Sequence, residues 1–208
     1  MNKKIILFIM AVLFLGLPAA YAQQETSCTR KVLVQARGDR AAVSAWKKCG
    51  DEWKEVFRTE EGWVGRHGVT DNKMEGDGAT PLGAFAVRRA FGLAEKVNTK
   101  LDYTHVQTGD VWVDDPYSRF YNQYVFRDQP DQDWQSAENL ASETIAYKYA
   151  IVIEYNTNPA VPGKGSAIFL HCTKGRPTAG CVSVPEKFMK RLLRFLRPGD
   201  EIVIQDAL

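Results

Sequence analysis

The chain is short of nearly everything that would mark a nucleic-acid, metal or membrane protein. Beyond Ala22 no apolar run is long enough to span a bilayer. Charge of one sign is not in excess: 27 Lys and Arg stand against 25 Asp and Glu, and two of the basic residues, Lys3 and Lys4, lie at the extreme N-terminus. The balanced remainder offers no electrostatic footprint for nucleic acid. Histidine is scarce, with three in 208 residues. Neither His67 nor His105 has a Cys or carboxylate at metal-ligand spacing, so both read as surface or packing residues and no metal site is expected. The Glu75-Gly76-Asp77-Gly78 stretch is no calcium loop, because a loop starting at Asp71 puts Lys73 third and Leu82 twelfth. No internal repeat or low-complexity tract is present, which excludes solenoids and arrays.

What the N-terminus does have is a basic start at Lys3 and Lys4, an apolar run from Ile5 to Leu15 and the small-x-small sequence Ala20-Tyr21-Ala22. This pattern predicts a secretory signal peptide over residues 1–22, with an uncleaved anchor as the alternative. The expectation is an exported protein of the periplasm or cell-wall space, with no membrane span after cleavage. The remainder suits one domain, with an N-terminal hairpin region at 23–61 and a larger region at 62–208.

Export makes disulfides permissible, and there are four cysteines. The strand-like runs Arg30–Gln35 and Ala42–Trp46 flank Arg37-Gly38-Asp39-Arg40, and Gly-Asp is a two-residue hairpin signal. In that register Cys28 faces Cys49 on a non-hydrogen-bonded pair, where side chains lie closest. A Cys28–Cys49 disulfide is expected; two free thiols are the alternative, since connectivity does not follow from sequence. Cys172 and Cys181 are left for other work.

The rest of the chain is mostly β. Strands are expected at Trp53–Arg58, Ala84–Arg88, Tyr149–Ile153, Gly165–Leu170 and Glu201–Ile204, around an irregular aromatic stretch at 93–140. Ser136 is expected to cap a short helix over Ala137–Ser142. The best helix is Pro185–Arg197, with Phe188, Leu192, Phe195 and Leu196 on one face and a Ser183/Glu186 capping box. Its basic residues read as a solvated face, with anionic wall polymer as a lesser option.

The chemistry concentrates in IFLHCTKGRPTAGCVSVPE, from Ile168 to Glu186. His171 ends an apolar strand-like run, and Cys181 follows ten residues later in the tight turn Ala179-Gly180-Cys181, just before the helix. A His beside a Cys can generate a thiolate nucleophile. His171, the helix N-terminus and the turn's N–H groups are expected to lower the thiol pKa. The N–H groups of Gly180 and Cys181 would receive an oxyanion. Spacing alone fits a buried structural Cys and a satisfied core His equally well.

Taken with the upstream segment EGDGATPLGAFAV (Glu75–Val87) and the GSAIFLH run, these residues resemble the YkuD-type L,D-transpeptidases of bacterial cell walls. Their signature is a strand-end His followed by Ser/Thr-x-Gly-Cys; His171, Thr178, Gly180 and Cys181 match it. The similarity extends over about 62–208 and is closest to a short-loop branch with Thr-Ala-Gly-Cys. Ala179 and Ser183 stand where many members have His and Arg, which leaves substrate contacts and acceptor choice open.

The resemblance implies a mostly β, single β-sandwich or barrel domain with a helix after the catalytic Cys. Cys181 would be the nucleophile, His171 the base, and Cys172 the third catalytic partner, acting through its backbone carbonyl; as a plain reading Cys172 is a packing residue. The substrate would be a peptidoglycan stem peptide, attacked at an L-centre carbonyl with loss of a terminal D-residue. Transfer to an amine makes a transpeptidase; transfer to water makes a carboxypeptidase. The route needs no metal or organic cofactor, and carbapenems would trap the Cys. Thr178, Asp77, Tyr121 and Asn122 would lie near substrate, against a turn reading for Asp77 and loop packing for Tyr121 and Asn122. Papain-like enzymes place Cys before His, and sortases need a longer gap and a distant Arg. A non-catalytic wall-binding module is the competitor from a different class.

Overall fold

The computed structural model describes residues 28–126 and 129–207; the expected signal peptide lies outside them. The elements are β1 (Thr29–Arg37), β2 (Arg40–Lys48), β3 (Trp53–Trp63), β4 (Val69–Thr70), β5 (Thr80–Pro81), β6 (Gly83–Ala86), β7 (Arg89–Gly92), β8 (Asp102–His105), β9 (Val111–Val113), β10 (Tyr124–Val125), β11 (Ala137–Asn139), a 3-10 turn at Ala146–Lys148, β12 (Ala150–Val152), β13 (Phe169–Cys172), β14 (Val182–Val184), α1 (Glu186–Phe195) and β15 (Glu201–Asp206). The fold is mostly β, with its α-helix after the cysteine, as the sequence predicts. Ten strands form one curled sheet in the order β6-β15-β1-β2-β3-β14-β13-β12-β7-β8, the twist of successive strands bending the sheet onto itself.

The hairpin β1–β2 turns at Gly38-Asp39, with Gly38 at φ +59°, the left-handed conformation that a two-residue hairpin demands. Thr29 pairs with Lys48, and one step out Cys28 and Cys49 form a disulfide with Cα atoms 4.5 Å apart. β3 runs five residues past the expected Arg58, because Gly62 lets it lie against β2: a Cβ there would stand 2.5 Å from the Ala41 carbonyl oxygen. β15 slots in parallel beside β1 and antiparallel to β6, so the C-terminus closes the sheet next to the N-terminal hairpin.

Two apolar clusters matter for the site. The larger joins Val32, Val34, Val43, Leu170, Cys172, Val182 and Val184 to Phe188, Met189, Leu192 and Leu193 of α1. The smaller gathers Phe91, Trp112, Leu140, Tyr147 and Phe169, with Phe169 edge-on to Phe91, Trp112 and Tyr147, and Tyr147 edge-on to Phe91. Such pairs add about 0.5–1.5 kcal/mol each beyond their buried area.

Two local expectations fail. In the segment expected as a helix over Ala137–Ser142, Ala137–Asn139 form β11 paired with β9 and Leu140–Ser142 a turn, and a helical turn comes only later, at Ala146–Lys148. Pairing to β9 gives Ala137–Asn139 backbone partners, and Leu140, whose N–H meets the Asp110 carbonyl, is fully buried, a tertiary gain that outweighs the local cap signal. The capping box is also absent: α1 starts at Glu186 behind Pro185 with no side-chain cap, and Ser183 belongs to β14.

Candidate functional site

β13 and β14 run parallel, with Leu170 opposite Val182, His171 opposite Ser183 and Cys172 opposite Val184. Side chains alternate faces along a strand. Leu170, Cys172, Val182 and Val184 therefore enter the core under α1, while His171 and Ser183 border a cavity of about 520 Å³. Cys181, at the entry to β14, lines the same cavity.

The imidazole of His171 is 8% exposed. Its Nδ1 lies 2.9 Å from the carbonyl oxygen of Cys172. A carbonyl only accepts, so Nδ1 carries the proton and Nε2 keeps its lone pair. The ring of Tyr147 stands edge-on to the imidazole, centroids 5.6 Å apart. Burial pushes the His171 pKa down to about 4, so the ring is neutral at pH 7.

The loop that carries Cys181 is clamped from distant parts of the chain. Thr178 pairs through its backbone with Val64 and Arg66 beyond β3. Its Oγ1 accepts from the Gly180 N–H at 3.1 Å and donates to the Cys181 carbonyl at 2.6 Å. Thr80 Oγ1, 101 residues away in sequence, donates to the same carbonyl at 3.1 Å and accepts from the Gly65 N–H. Gly180 sits at φ +152°, and a Cβ there would come within 3.1 Å of the Ala79 carbonyl, so glycine is required.

The sulfur corrects one expectation. Cys181 Sγ–H donates to the Ala167 carbonyl at 3.2 Å, and the Phe169 N–H donates to the sulfur at 3.3 Å. No N–H of α1 is among these contacts. Burial, aided by the charge of Glu138, pushes the thiol up to about 12. The resting group is a protonated thiol rather than the expected thiolate, because desolvation outweighs the single N–H and the distant positive charge of Lys73. The expected oxyanion role of Gly180 also changes, since its N–H is engaged by Thr178; Cys181 N–H remains the candidate from that turn.

The other candidates fall into place around this centre. Thr178 lines the cavity and holds the loop. Asp77 does not line it: its carboxylate receives Lys73 Nζ at 2.7 Å and the N–H groups of Met74 and Ala79, which fastens the loop before β5. Tyr121 Oη reaches Glu75 at 2.5 Å, and Ser166 reaches the same carboxylate, so Tyr121 supports a cavity wall from behind. Asn122 is 3% exposed, at φ +58°. Its Oδ1 accepts from Trp112 Nε1 and the Ala167 N–H, and its Nδ2 donates to the carbonyls of Tyr155 and Asn156. It thereby fixes Ala167, itself at φ +52°, whose carbonyl meets the thiol. Both residues are placed as supports rather than as substrate contacts.

Sequence reading missed Thr80, Lys73, Glu138 and Tyr147. Lys73 is only 5% exposed yet lines the cavity, as do Lys174 and Arg176; Asp114, Glu138 and Glu143 oppose them. A buried lysine has no local signal in sequence, and the Tyr147–Glu138 pair forms only when β11 and the 3-10 turn meet. Among the described residues there is no group of His, Cys, Asp and Glu that could hold a metal ion, and no helix long and apolar enough to cross a membrane.

The profile of the L,D-transpeptidase catalytic domain (YkuD) matches residues 51–204. No curated protein sequence matches the chain. Among solved structures, the helical cell shape determining protein Pgp2 from Campylobacter jejuni is similar, with a TM-score of 0.50 at 13% identity over 87% of this chain and 49% of that one. A single-residue mutant of that protein gives 0.49 at 14% identity, over 87% and 48%. The chain thus spans about half the length of these structures, and the likeness is one of fold.

Proposed function

Because this chain belongs to the L,D-transpeptidase catalytic-domain family, we propose that it acylates Cys181 with a peptidoglycan stem peptide and passes the acyl group to an amine. The observation that carries this reading is the fixed tautomer of His171: with Nδ1–H held on the Cys172 carbonyl, Nε2 is a free base in the cavity that Cys181 lines. Cys172 acts through that carbonyl and not through its sulfur.

The thiol and imidazole are both neutral at rest, so proton transfer accompanies attack. Sγ–H turns from the Ala167 carbonyl to Nε2 as sulfur bonds to the carbonyl carbon of the L-centre residue. The tetrahedral oxyanion is met by the Cys181 N–H. Imidazolium then protonates the departing D-alanine nitrogen and the C–N bond breaks, leaving a thioester. An amine of a second stem loses its proton to Nε2, attacks, and the released thiolate recovers the proton. Every group this route uses belongs to the chain or its substrate. The charged walls, Lys73, Lys174 and Arg176 against Asp114, Glu138 and Glu143, suit a stem that carries both carboxylates and ammonium groups. Action on the cell wall agrees with the cell-shape role named for the similar structure, and with an exported location.

One observation favours a second reading. A sulfur held protonated by burial also fits a wall-peptide-binding module with an inert thiol. Incubation with a tetrapeptide stem ending in D-alanine, or with a carbapenem, followed by intact mass, separates the two. An adduct on Cys181 that is absent from Cys181→Ala, with D-alanine released from the stem, is expected. A folded protein whose Cys181 stays unmodified overturns the enzymatic reading.

A further inference from the structure

Two buried side-chain oxygens among the described residues lack a hydrogen-bond partner, Asp114 Oδ1 and Ser183 Oγ, and both residues line the Cys181 cavity. Buried polar groups in folded proteins are nearly always paired, so an orphan needs an explanation. Ser183 is the more telling of the two. It is 1% exposed, flanked by Val182 and Val184 on the opposite face, and stands at the register position beside His171. Cys181, two residues earlier, borders the same cavity. An alanine would complete the strand without leaving an unpaired hydroxyl, so the fold gives no reason for the oxygen.

We infer that Ser183 Oγ holds the nucleophile that resolves the Cys181 thioester, opposite His171 Nε2. This rests on the acyl-enzyme reading above. A water or a neutral primary amine carries two hydrogens and a lone pair. One hydrogen goes to Nε2 and is the proton transferred; the other goes to Ser183 Oγ; the lone pair then points at the thioester carbon. The new C–O or C–N bond forms, the C–S bond breaks, and imidazolium returns the proton to the sulfur. The peptide nitrogen that leaves in the first step is tethered to a bound stem and needs no such second anchor. Water has no other anchor, so resolution depends on Ser183 more than acylation does.

Ser183→Ala, followed by intact mass and D-alanine release on the tetrapeptide stem, tests this, in one arm with water alone and in the other with a tripeptide stem as amine. The D-alanine burst is expected to stay within about twofold of wild type while the thioester lives about tenfold longer or more. The melting temperature is expected not to fall, since no protein hydrogen bond is lost. The arm in which lifetime lengthens identifies the nucleophile served. Unchanged lifetimes in both arms, equal loss of acylation and resolution, or failure of the variant to fold each overturn the inference. If wild type acylates normally, the proposed function survives that result; if wild type never acylates, both fall.

Discussion

The two faces of the β13–β14 pair are built from alternate residues of the same seven positions, and they hold opposite chemistry. On one, Leu170, Cys172, Val182 and Val184 meet α1 in hydrocarbon. On the other, His171 and Ser183 border a cavity with charged walls, beside Cys181. The two free cysteines show how little burial alone reveals. Desolvation raises both thiols, Cys172 to about 11 and Cys181 to about 12. What separates them is the face on which each sits and what stands next to it. A slip of one residue in either strand would exchange the faces, so the register of this pair is the main structural requirement of the site.

The contrast breaks most sharply at adjacent positions. His171→Ala is expected to slow acylation by about 10²–10⁴-fold, the usual worth of a general base. Cys172→Ala, next door on the other face, is expected to cost about 1 kcal/mol in stability through lost packing. It should leave acylation near wild type, because the carbonyl that holds His171 is backbone. Stopped acylation kinetics with urea unfolding on both variants checks this. A folded Cys172→Ala that fails to acylate would place its sulfur in the mechanism.

The pH profile sharpens the same comparison. A thiolate–imidazolium pair would carry a thiolate at neutral pH, its thiol pKa lowered by the imidazolium beside it. Here burial lowers the imidazole from 6.5 to about 4, and the active form is the neutral base. Acylation measured as kcat/KM should therefore hold down to about pH 4. A base with a lowered pKa contributes stability that is present above its unfolded value of 6.5 and is lost as pH falls through about 4, so stability should decline over that window. Thiolate absorbance should be missing at neutral pH. A thiolate signal at neutral pH would return the site to the ion pair that the sequence suggested.

That suggestion was reasonable, and its failure shows what local sequence carries. The Gly38-Asp39 turn sets the β1–β2 register to the residue, though each strand runs one or two residues beyond its expected ends, because a tight hairpin is decided by its own few positions. The α1 face is legible for the same reason. His171, Thr178, Gly180 and Cys181 are readable as a motif. The supports are not: Thr80 reaches Cys181 across 101 residues, and Asn122 fixes Ala167 through one hydrogen bond while Trp112, Tyr155 and Asn156 hold its amide in place, contacts that exist only after these segments converge. Ser183 carries the plainest lesson. A cap pattern with Glu186 is a local signal, but the strand claimed Ser183 and set it on the face that borders the cavity. Sulfur pKa depends on desolvation by residues remote in sequence, which no motif records.

The smallest expected effect on acylation lies on the acidic wall of the cavity. Glu138 accepts from Tyr147 Oη at 2.5 Å, and Tyr147 is the ring that packs on His171. Burial, with Glu143 and Asp114 adding like charge, raises Glu138 from 4.5 to about 7, against the opposing pull of the Tyr147 hydrogen bond. An acid whose folded pKa is raised contributes stability that is fully present below its unfolded value and is lost as pH rises through about 7. Glu138→Gln keeps an acceptor for Tyr147 and has no charge to bury. It should unfold like wild type at pH 4 and be more stable at pH 8, by about 1–3 kcal/mol after allowance for solvent screening. At pH 5, where Glu138 is itself uncharged, acylation should match wild type, because the His171 ring keeps its neighbour. Equal stability differences at both pH values would mean that the Glu138 carboxylate is already ionised and solvated in the folded protein, and that the acidic wall costs the fold nothing.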